Sequence, residues 1–248
     1  MEKYGSGEKG TVLDYKDFLQ GRQAASVTLH GCSVELPIHR QNFIEFIYAY
    51  DGKIITEIDG KELVQHGSTL FPIACYAEDL AMDSVSWHWH EDYEFVLATR
   101  GVVYVDVNKT RLRLTEGEGV FINSGALHMV EPARDGPSFI HSGVFHPRLV
   151  GGMDTVFWQK LNRPMLQPGA PVFFLLNGAV PWQRDVLACL RDAWQEVGDE
   201  PFDFENRARY HLSLALRLLG SQCIAGKTKV SQQEQIAAER MKQMLRFV

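Results

Sequence analysis

Three imidazoles and one carboxylate, on His88, His90, Glu94 and His128, fall within one stretch of short alternating β-like runs. Residues two apart on a strand point to the same face, so His88 and His90 share a face of one strand. Glu94 keeps that parity and joins them if the strand runs unbroken. His128 follows the Gly-containing turn Asn123-Ser124-Gly125 and is expected from another strand. Imidazole suits zinc, iron, nickel and copper, and three histidines with one carboxylate leave an open coordination position. The same side chains can instead hydrogen-bond one another or an organic ligand. The residues themselves leave both chemistries open.

Other candidates are weaker. Trp87 and Trp89 have opposite parity to the histidines and are expected on the outer face or against helices. An aromatic lining for a ligand would come from Phe71, Tyr93, Tyr104 or Phe121, and Tyr104 is placed with His88, His90, Glu94 and His128 as a ligand-binding residue. His141 and His146 differ in parity, so at most one faces inward. His39, His66 and His211 are read as structural or surface histidines. Ser124 sits in a turn, Cys75 has no base beside it, and no Gly-rich phosphate loop is present, so no residue is assigned to catalysis. Lys109, Arg111 and Arg113 read as a solvated strand face.

The elements that must position these residues follow from pattern and punctuation. The 248 residues carry 45% hydrophobic and 23% charged side chains and a net charge of −6. That composition is ordinary for a soluble globular chain and lacks the overall basic character of nucleic-acid binders. The four cysteines show no paired spacing, which fits reduced thiols in the cytoplasm. No secretory signal or membrane-length apolar run is visible. Phe43 to Tyr50, Asp51-Gly52 and Lys53 to Ile58 predict a tight hairpin. Phe95 to Thr99, Val102 to Val107, Arg111 to Leu114, Val120 to Asn123 and Phe139 to Phe145 predict strands. Trp182 to Val197 has helical spacing and should stop at Gly198. A second helix, N-capped by Asp203, should carry the stripe Phe204 to Leu219 and end at Gly220. Leu214, Leu216 and Leu218 make its end apolar nearly all round, which predicts burial against a second copy. Ser231 and Glu234 form a capping box opening a third helix, which runs to Val248 with no stop signal.

His88, His90, Glu94 and Gly101, with Gly117, Gly125 and His128, resemble the two signature motifs of the cupin superfamily. Met82 stands where the first motif has a glycine, Asn123 replaces a proline, and Pro132 replaces an asparagine. The wording Trp87-His88-Trp89-His90-Glu91, Leu114 to Gly125 and Leu127-His128 is similar to the sensor region of AraC-type transcription regulators. The resemblance implies a mainly β chain with a C-terminal α part: a cupin-type, jelly-roll-like β-barrel followed by an α-helical hairpin. It divides the chain into an N-terminal β extension (1–75), a barrel core (76–148), a helical dimerisation region (149–226) and the start of a truncated helix-turn-helix domain (227–248). Glu45, Gly52 and His39 echo the first motif, which leaves open whether residues 26–75 form a second half-cupin or extend the barrel.

The implied function is that of a bacterial, cytoplasmic, homodimeric regulator whose barrel binds a small, sugar-like effector and which is not an enzyme. DNA would be contacted only through the missing C-terminal domain, and no membrane partner is expected. Because such sensors keep these side chains without using a metal, no cofactor is required, although zinc, iron or nickel is permitted. The alternative is a metal-dependent cupin enzyme, a dioxygenase or isomerase acting on a small molecule.

Overall fold

A computed structural model describes residues 26–29, 32–35, 45–50, 53–58, 61–62, 65–81 and 84–224. Ahead of the main sheet lie two small antiparallel units. One pairs β1 (Ser26–Leu29) with β2 (Cys32–Glu35). The other has the order β3 (Glu45–Tyr50), β4 (Lys53–Ile58), β5 (Lys61–Glu62). Tyr50 opposes Lys53, the register that a two-residue Asp51-Gly52 connection demands. The turn itself, His39 and the helix expected from Ser231 lie outside the described residues. β5 touches the main sheet through a parallel bridge from Lys61 to Trp89, where the Glu62 N–H donates to the Trp89 carbonyl at 2.9 Å.

The main sheet has eight antiparallel strands: β6 (Ile73–Asp79), β7 (Val85–His88), β8 (Tyr93–Val107), β9 (Thr110–Thr115), β10 (Gly119–Ile122), β11 (His128–Pro132), β12 (Ser138–Phe145) and β13 (Phe173–Leu176). The two strands expected at 95–99 and 102–107 are one. The first half of β8 pairs with β10 and β12, and its second half with β9 and β11. Between the halves, neighbouring Phe139 and Ile140 oppose Arg100 and Ala98, which leaves Thr99 as a bulge. Gly101 follows with φ 77°, and a Cβ there would stand 1.8 Å from the Pro137 carbonyl oxygen. Only glycine passes this point.

The bulge reverses the parity of β8. Before it, Val96 and Ala98 face the interior; after it, Val103, Val105 and Val107 do. Together with Leu114, Val120, Ile122 and Ile140 they fill the inner core. The opposite side of the first half, Tyr93, Phe95 and Leu97, meets Phe121, Phe145 and the helices in a second core. Each fully buried aliphatic or aromatic side chain contributes roughly 1.5–3 kcal/mol.

After β12 the chain forms a short 3₁₀ turn (Pro147–Leu149), a π-helical turn (Trp158–Asn162) that runs into α1 (Arg163–Leu166), then β13, and finally the hairpin α2 (Pro181–Asp199) and α3 (Phe204–Ile224). β13 pairs with β10, so the sheet extends into a stretch that sequence pattern marked only by turns. Neither glycine stop acts as expected. α2 continues through Gly198 and ends where Glu200 turns left-handed at φ 46°. α3 continues through Gly220, where a Cβ would meet Pro164 of α1 at an ordinary contact distance of 3.7 Å.

Burial corrects the reason offered for dimerisation. Leu212, Ala215, Leu216 and Leu219 are at most 1% exposed within the single chain and belong to the second core. The all-round apolar end of α3 is therefore covered, at Leu216, by the barrel and the other helices. Trp194 locks α2 to the sheet: its indole N–H donates to the Tyr76 carbonyl at 3.0 Å, and its ring stacks on His141 at 3.6 Å. Leu216→Ala is expected to lower the unfolding free energy by about 2–5 kcal/mol in a denaturant titration. Leu218→Ala, at a half-buried position, should lower it by clearly less.

Candidate functional site

Four side chains predicted to converge do so. One ligand atom from each of His88, His90, Glu94 and His128 lies within 4.8 Å of the others, and all four residues are buried. His88 ends β7. Two residues of β11, His128 and Val130, oppose His88 and Val85, so a bulge in β7 turns both of its residues inward. Glu94 occupies the second position of β8, on the inward parity of Val96. His128 opens β11 behind the turn 123–126, whose Gly125 N–H donates to the His90 carbonyl at 2.8 Å.

The imidazoles are held in one orientation. His88 Nδ1 lies 2.9 Å from the Ser86 carbonyl, His90 Nδ1 3.1 Å from that of Asp92, and His128 Nδ1 2.9 Å from that of Ala126. A carbonyl oxygen only accepts, so each Nδ1 carries the proton and each Nε2 faces the pocket. His90 Nε2 and His128 Nε2 stand 3.1 and 2.8 Å from one atom, Glu94 Oε2. In a neutral ring with Nδ1 protonated, Nε2 is a lone pair, and a lone pair facing a carboxylate is repulsive. A further proton or a cation resolves the contact.

Electrostatics follow from the same geometry. Burial alone would raise Glu94, but the charge and hydrogen bonds of His128 and His90 outweigh it and hold Glu94 well below the carboxylate range. Burial opposes charge on His90 too, yet its hydrogen bond to Glu94 and the charges of Glu94 and Glu62 raise it. Burial, with repulsion from His128, pushes His88 down to about 4. The pocket therefore keeps His88 neutral while its carboxylate is ionised.

Two residues that sequence reasoning left out belong to the same pocket. Glu62 Oε2 lies 3.6 Å from His66 Nε2 and 3.7 Å from His88 Nε2. His66, expected to be structural or on the surface, is 6% exposed, and its Nδ1 lies 3.0 Å from the Tyr76 hydroxyl. The bridge from Lys61 to Trp89 brings Glu62 here. That contact is non-local, and no motif spacing announces it.

Tyr104 is not brought to the cluster. The Thr99 bulge gives it the parity opposite to Val103 and Val105, and it lies beneath the Arg111 guanidinium, 4.9 Å from ring centre to guanidinium carbon. It lines an outer cleft of about 1120 Å³ with Arg111, Arg113, Glu131 and Arg134. There Arg111, which was expected to be simply solvated, is ion-paired with Glu131. Phe71 stacks edge-on against Phe204, while Tyr93 and Phe121 sit in the second core. Trp87 and Trp89 are half-buried, and Trp89 carries the Lys61 ammonium 5.1 Å from its ring centre. His141 stacks on Trp194, and His146 accepts the Arg148 N–H at 3.0 Å, so both are engaged away from the four-residue cluster.

The departure from the cupin pattern at Asn123 has a local reason. The Asn123 backbone N–H donates to the Val172 carbonyl at 2.8 Å, a bond that proline cannot make. Its side-chain amide donates to the Met165 and Pro171 carbonyls at 2.6 and 2.9 Å. Ser124 Oγ donates to the Glu91 carbonyl at 2.7 Å, so this hydroxyl is engaged in the turn. Burial pushes the Cys75 thiol up to about 12, which leaves it protonated and unreactive at neutral pH.

An antiparallel barrel with a buried histidine–carboxylate cluster and a docked helical hairpin defines a ligand-binding module. Residues 70–205 match the model of the AraC-like ligand binding domain, and the chain belongs to that family. It is 26% identical over 193 residues to the uncharacterized HTH-type transcriptional regulator YdeC of Bacillus subtilis (strain 168), covering 76% of this chain but 64% of that protein. The chain thus spans less than two thirds of that relative. Among solved structures it is similar to ToxT from Vibrio cholerae strain SCE256 with an unsaturated fatty acid bound (TM-score 0.41, 9% identity, 64% of this chain and 56% of that one). It is also similar to a Cupin 2 conserved barrel domain protein from Salinispora arenicola CNS-205 (TM-score 0.25, 20% identity, 30% and 60%).

The sign of the pH dependence follows. His88 is held down in the fold to about 4, against 6.5 in the open chain, so unfolding takes up a proton between these values. Stability should fall as the pH drops from 6.5 towards 4, with Glu94 adding to the loss below about 4.5. His90, raised in the fold, acts at the other end: its contribution is complete below 6.5 and is lost as the pH rises through its folded value. Urea titrations across this range should show a shallower acid slope in His88→Gln.

Proposed function

We propose that this chain is the effector-sensing and dimerising region of an AraC-type transcription regulator, and that His88, His90, Glu94 and His128 form its effector site. The observation that supports this is the convergence of His88, His90, Glu94 and His128, with the Nε2 atoms of His90 and His128 on the Glu94 carboxylate, inside the barrel of a ligand-binding family. The effector is small and polar. A sugar-like molecule would place hydroxyls between Glu94 and the imidazoles, and a zinc, iron or nickel ion would take the lone pairs that now face the carboxylate. Tyr104 and the outer cleft take no part.

A sensor suits the wiring better than a catalyst. Ser124 and Cys75 are both engaged or protonated, and the turn that delivers His128 is tied through Asn123 to the helical part. Effector binding that favours one placement of this turn biases the helices with it. Dimerisation would use what α3 and its entry leave open, Phe202 at 97% and Tyr210 at 60% exposed, in place of Leu216. DNA contact is assigned outside the described barrel and helices, and the working compartment to the cytoplasm. No described helix is long and apolar enough to cross a membrane.

The test is a thermal-shift and equilibrium-dialysis screen of the full chain with mono- and disaccharides and with Zn²⁺, Fe²⁺ and Ni²⁺. A ligand present at 100 times its Kd should add about 2.7 kcal/mol of stability, and Glu94→Gln should abolish the gain. A gain that survives Glu94→Gln but disappears in Arg113→Ala would move the effector site to the outer cleft. The fold buries its apolar side chains in two cores that do not include the four-residue cluster. Chelation with EDTA should therefore leave the far-UV circular dichroism unchanged.

A further inference from the structure

The pocket contains a second arrangement of the same kind as the first. Glu94 faces His90 Nε2 and His128 Nε2; Glu62 faces His66 Nε2 and His88 Nε2. Each is a set of two histidines and one carboxylate, a combination that binds divalent first-row metals. We propose that Glu62, His66 and His88 form a second divalent-cation position beside the one formed by His90, Glu94 and His128. This rests on reading the four-residue cluster as able to hold a cation, and adds to that reading a second site and its ligands.

Three observations carry it. First, the separations of 3.6 and 3.7 Å are too long for hydrogen bonds. They are close to the roughly 3.4 Å edge of a ligand tetrahedron around an ion with bonds of about 2.0–2.1 Å. Second, His66 Nε2 is a buried ring nitrogen with no hydrogen-bond partner among the described residues. Such an atom is destabilising unless something fills the space it faces. Third, both rings are already held from behind. His88 Nδ1 is fixed by the Ser86 carbonyl and His66 Nδ1 by the Tyr76 hydroxyl, the outer support that metal-binding imidazoles receive. The Tyr76 hydroxyl can accept from His66 Nδ1–H, and in that tautomer His66 offers a lone pair at Nε2.

Glu62 and His66 both precede residue 70, where the match to the family begins. Two of the three ligands of the second position thus come from a segment that the family match does not include, brought to His88 by the bridge between Lys61 and Trp89. His88, whose ring centre is 4.2 Å from that of His128, lies between the two positions. One carboxylate per position offsets an ion's charge in a pocket that burial would otherwise make hostile to it.

The probe is Co²⁺ alone, titrated into the full chain and followed by its visible absorption and by elemental analysis after desalting. Wild type should bind two equivalents. Glu62→Gln and His66→Gln should each bind one, and Glu94→Gln and His128→Gln should each bind one with a different spectrum. Circular dichroism of each variant verifies the fold. One equivalent in wild type, unaffected by Glu62→Gln and His66→Gln, would overturn the second position and leave the first intact. One equivalent abolished by variants of either set would mean a single shared site and would likewise overturn it. No binding in folded wild type would overturn the cation reading of both positions.

Discussion

Gly101 takes β8 past the Pro137 carbonyl at a separation that no side chain permits, immediately after Thr99 is pushed out of register. Everything that faces the pocket depends on this crossing. A strand of 15 residues without it would keep one parity throughout, and Tyr104 would share a side with Glu94. With it, β8 serves as the common member of both halves of the barrel. Its first half gives Glu94 to the interior and Phe95 to the helices, and its second half gives Val103 and Val105 to the interior and Tyr104 to the outer cleft. The motif glycine is thus a steric requirement of a strand that must change partners while staying continuous.

The interior that results is half apolar and half ionisable. A buried carboxylate is tolerated only when paired; buried Glu94 and partly buried Glu62 each face two imidazoles. The pairing differs between them. Glu94 is in hydrogen-bond contact with His90 and His128 at 3.1 and 2.8 Å, whereas Glu62 stands 3.6 and 3.7 Å from His66 and His88. A proton on His90 Nε2 or on His128 Nε2 closes that ring's contact with Glu94 at hydrogen-bond distance. A proton cannot close the longer gap at Glu62, so the two halves of the pocket differ in what they leave unsatisfied.

Much of this was legible in the sequence, for local reasons. The period-two spacing of His88 and His90, the turn before His128 and the glycines at Gly101, Gly117 and Gly125 are short-range signals, and they placed the four-residue cluster correctly. The hairpin β3–β4 and the helices α2 and α3 were equally local. What failed was non-local or context-dependent. A bulge reverses parity without any residue type announcing it, so Tyr104 was assigned to the wrong side. Gly198 and Gly220 read as helix stops, since isolated helices end at glycine; both instead lie inside α2 and α3, whose packing carries them on. Leu216 looked like an interface residue because its burial depends on the packing of α3 against α2, α1 and the π-helical turn, which spacing alone does not announce. Glu62 and His66 were missed because their place in the pocket depends on one bridge to Trp89.

The turn 123–126 joins the two levels of the structure. Its outer side holds Met165, Pro171 and Val172 through three hydrogen bonds from Asn123. Its inner side fixes the pocket: Gly125 donates to the His90 carbonyl, Ser124 to that of Glu91, and the Ala126 carbonyl sets the tautomer of His128. Met165 in turn touches Cys223, near the end of α3, through a sulfur–sulfur contact of 3.6 Å. A four-residue segment therefore shares its hydrogen bonds between the imidazoles and the helical face. A proline at position 123, as in the general motif, would lose the backbone bond to Val172 together with both amide bonds. The substitution that made this chain look like a degenerate cupin is the one that ties the turn before His128 to α1 and to the segment leading into β13, and through Met165 to the end of α3.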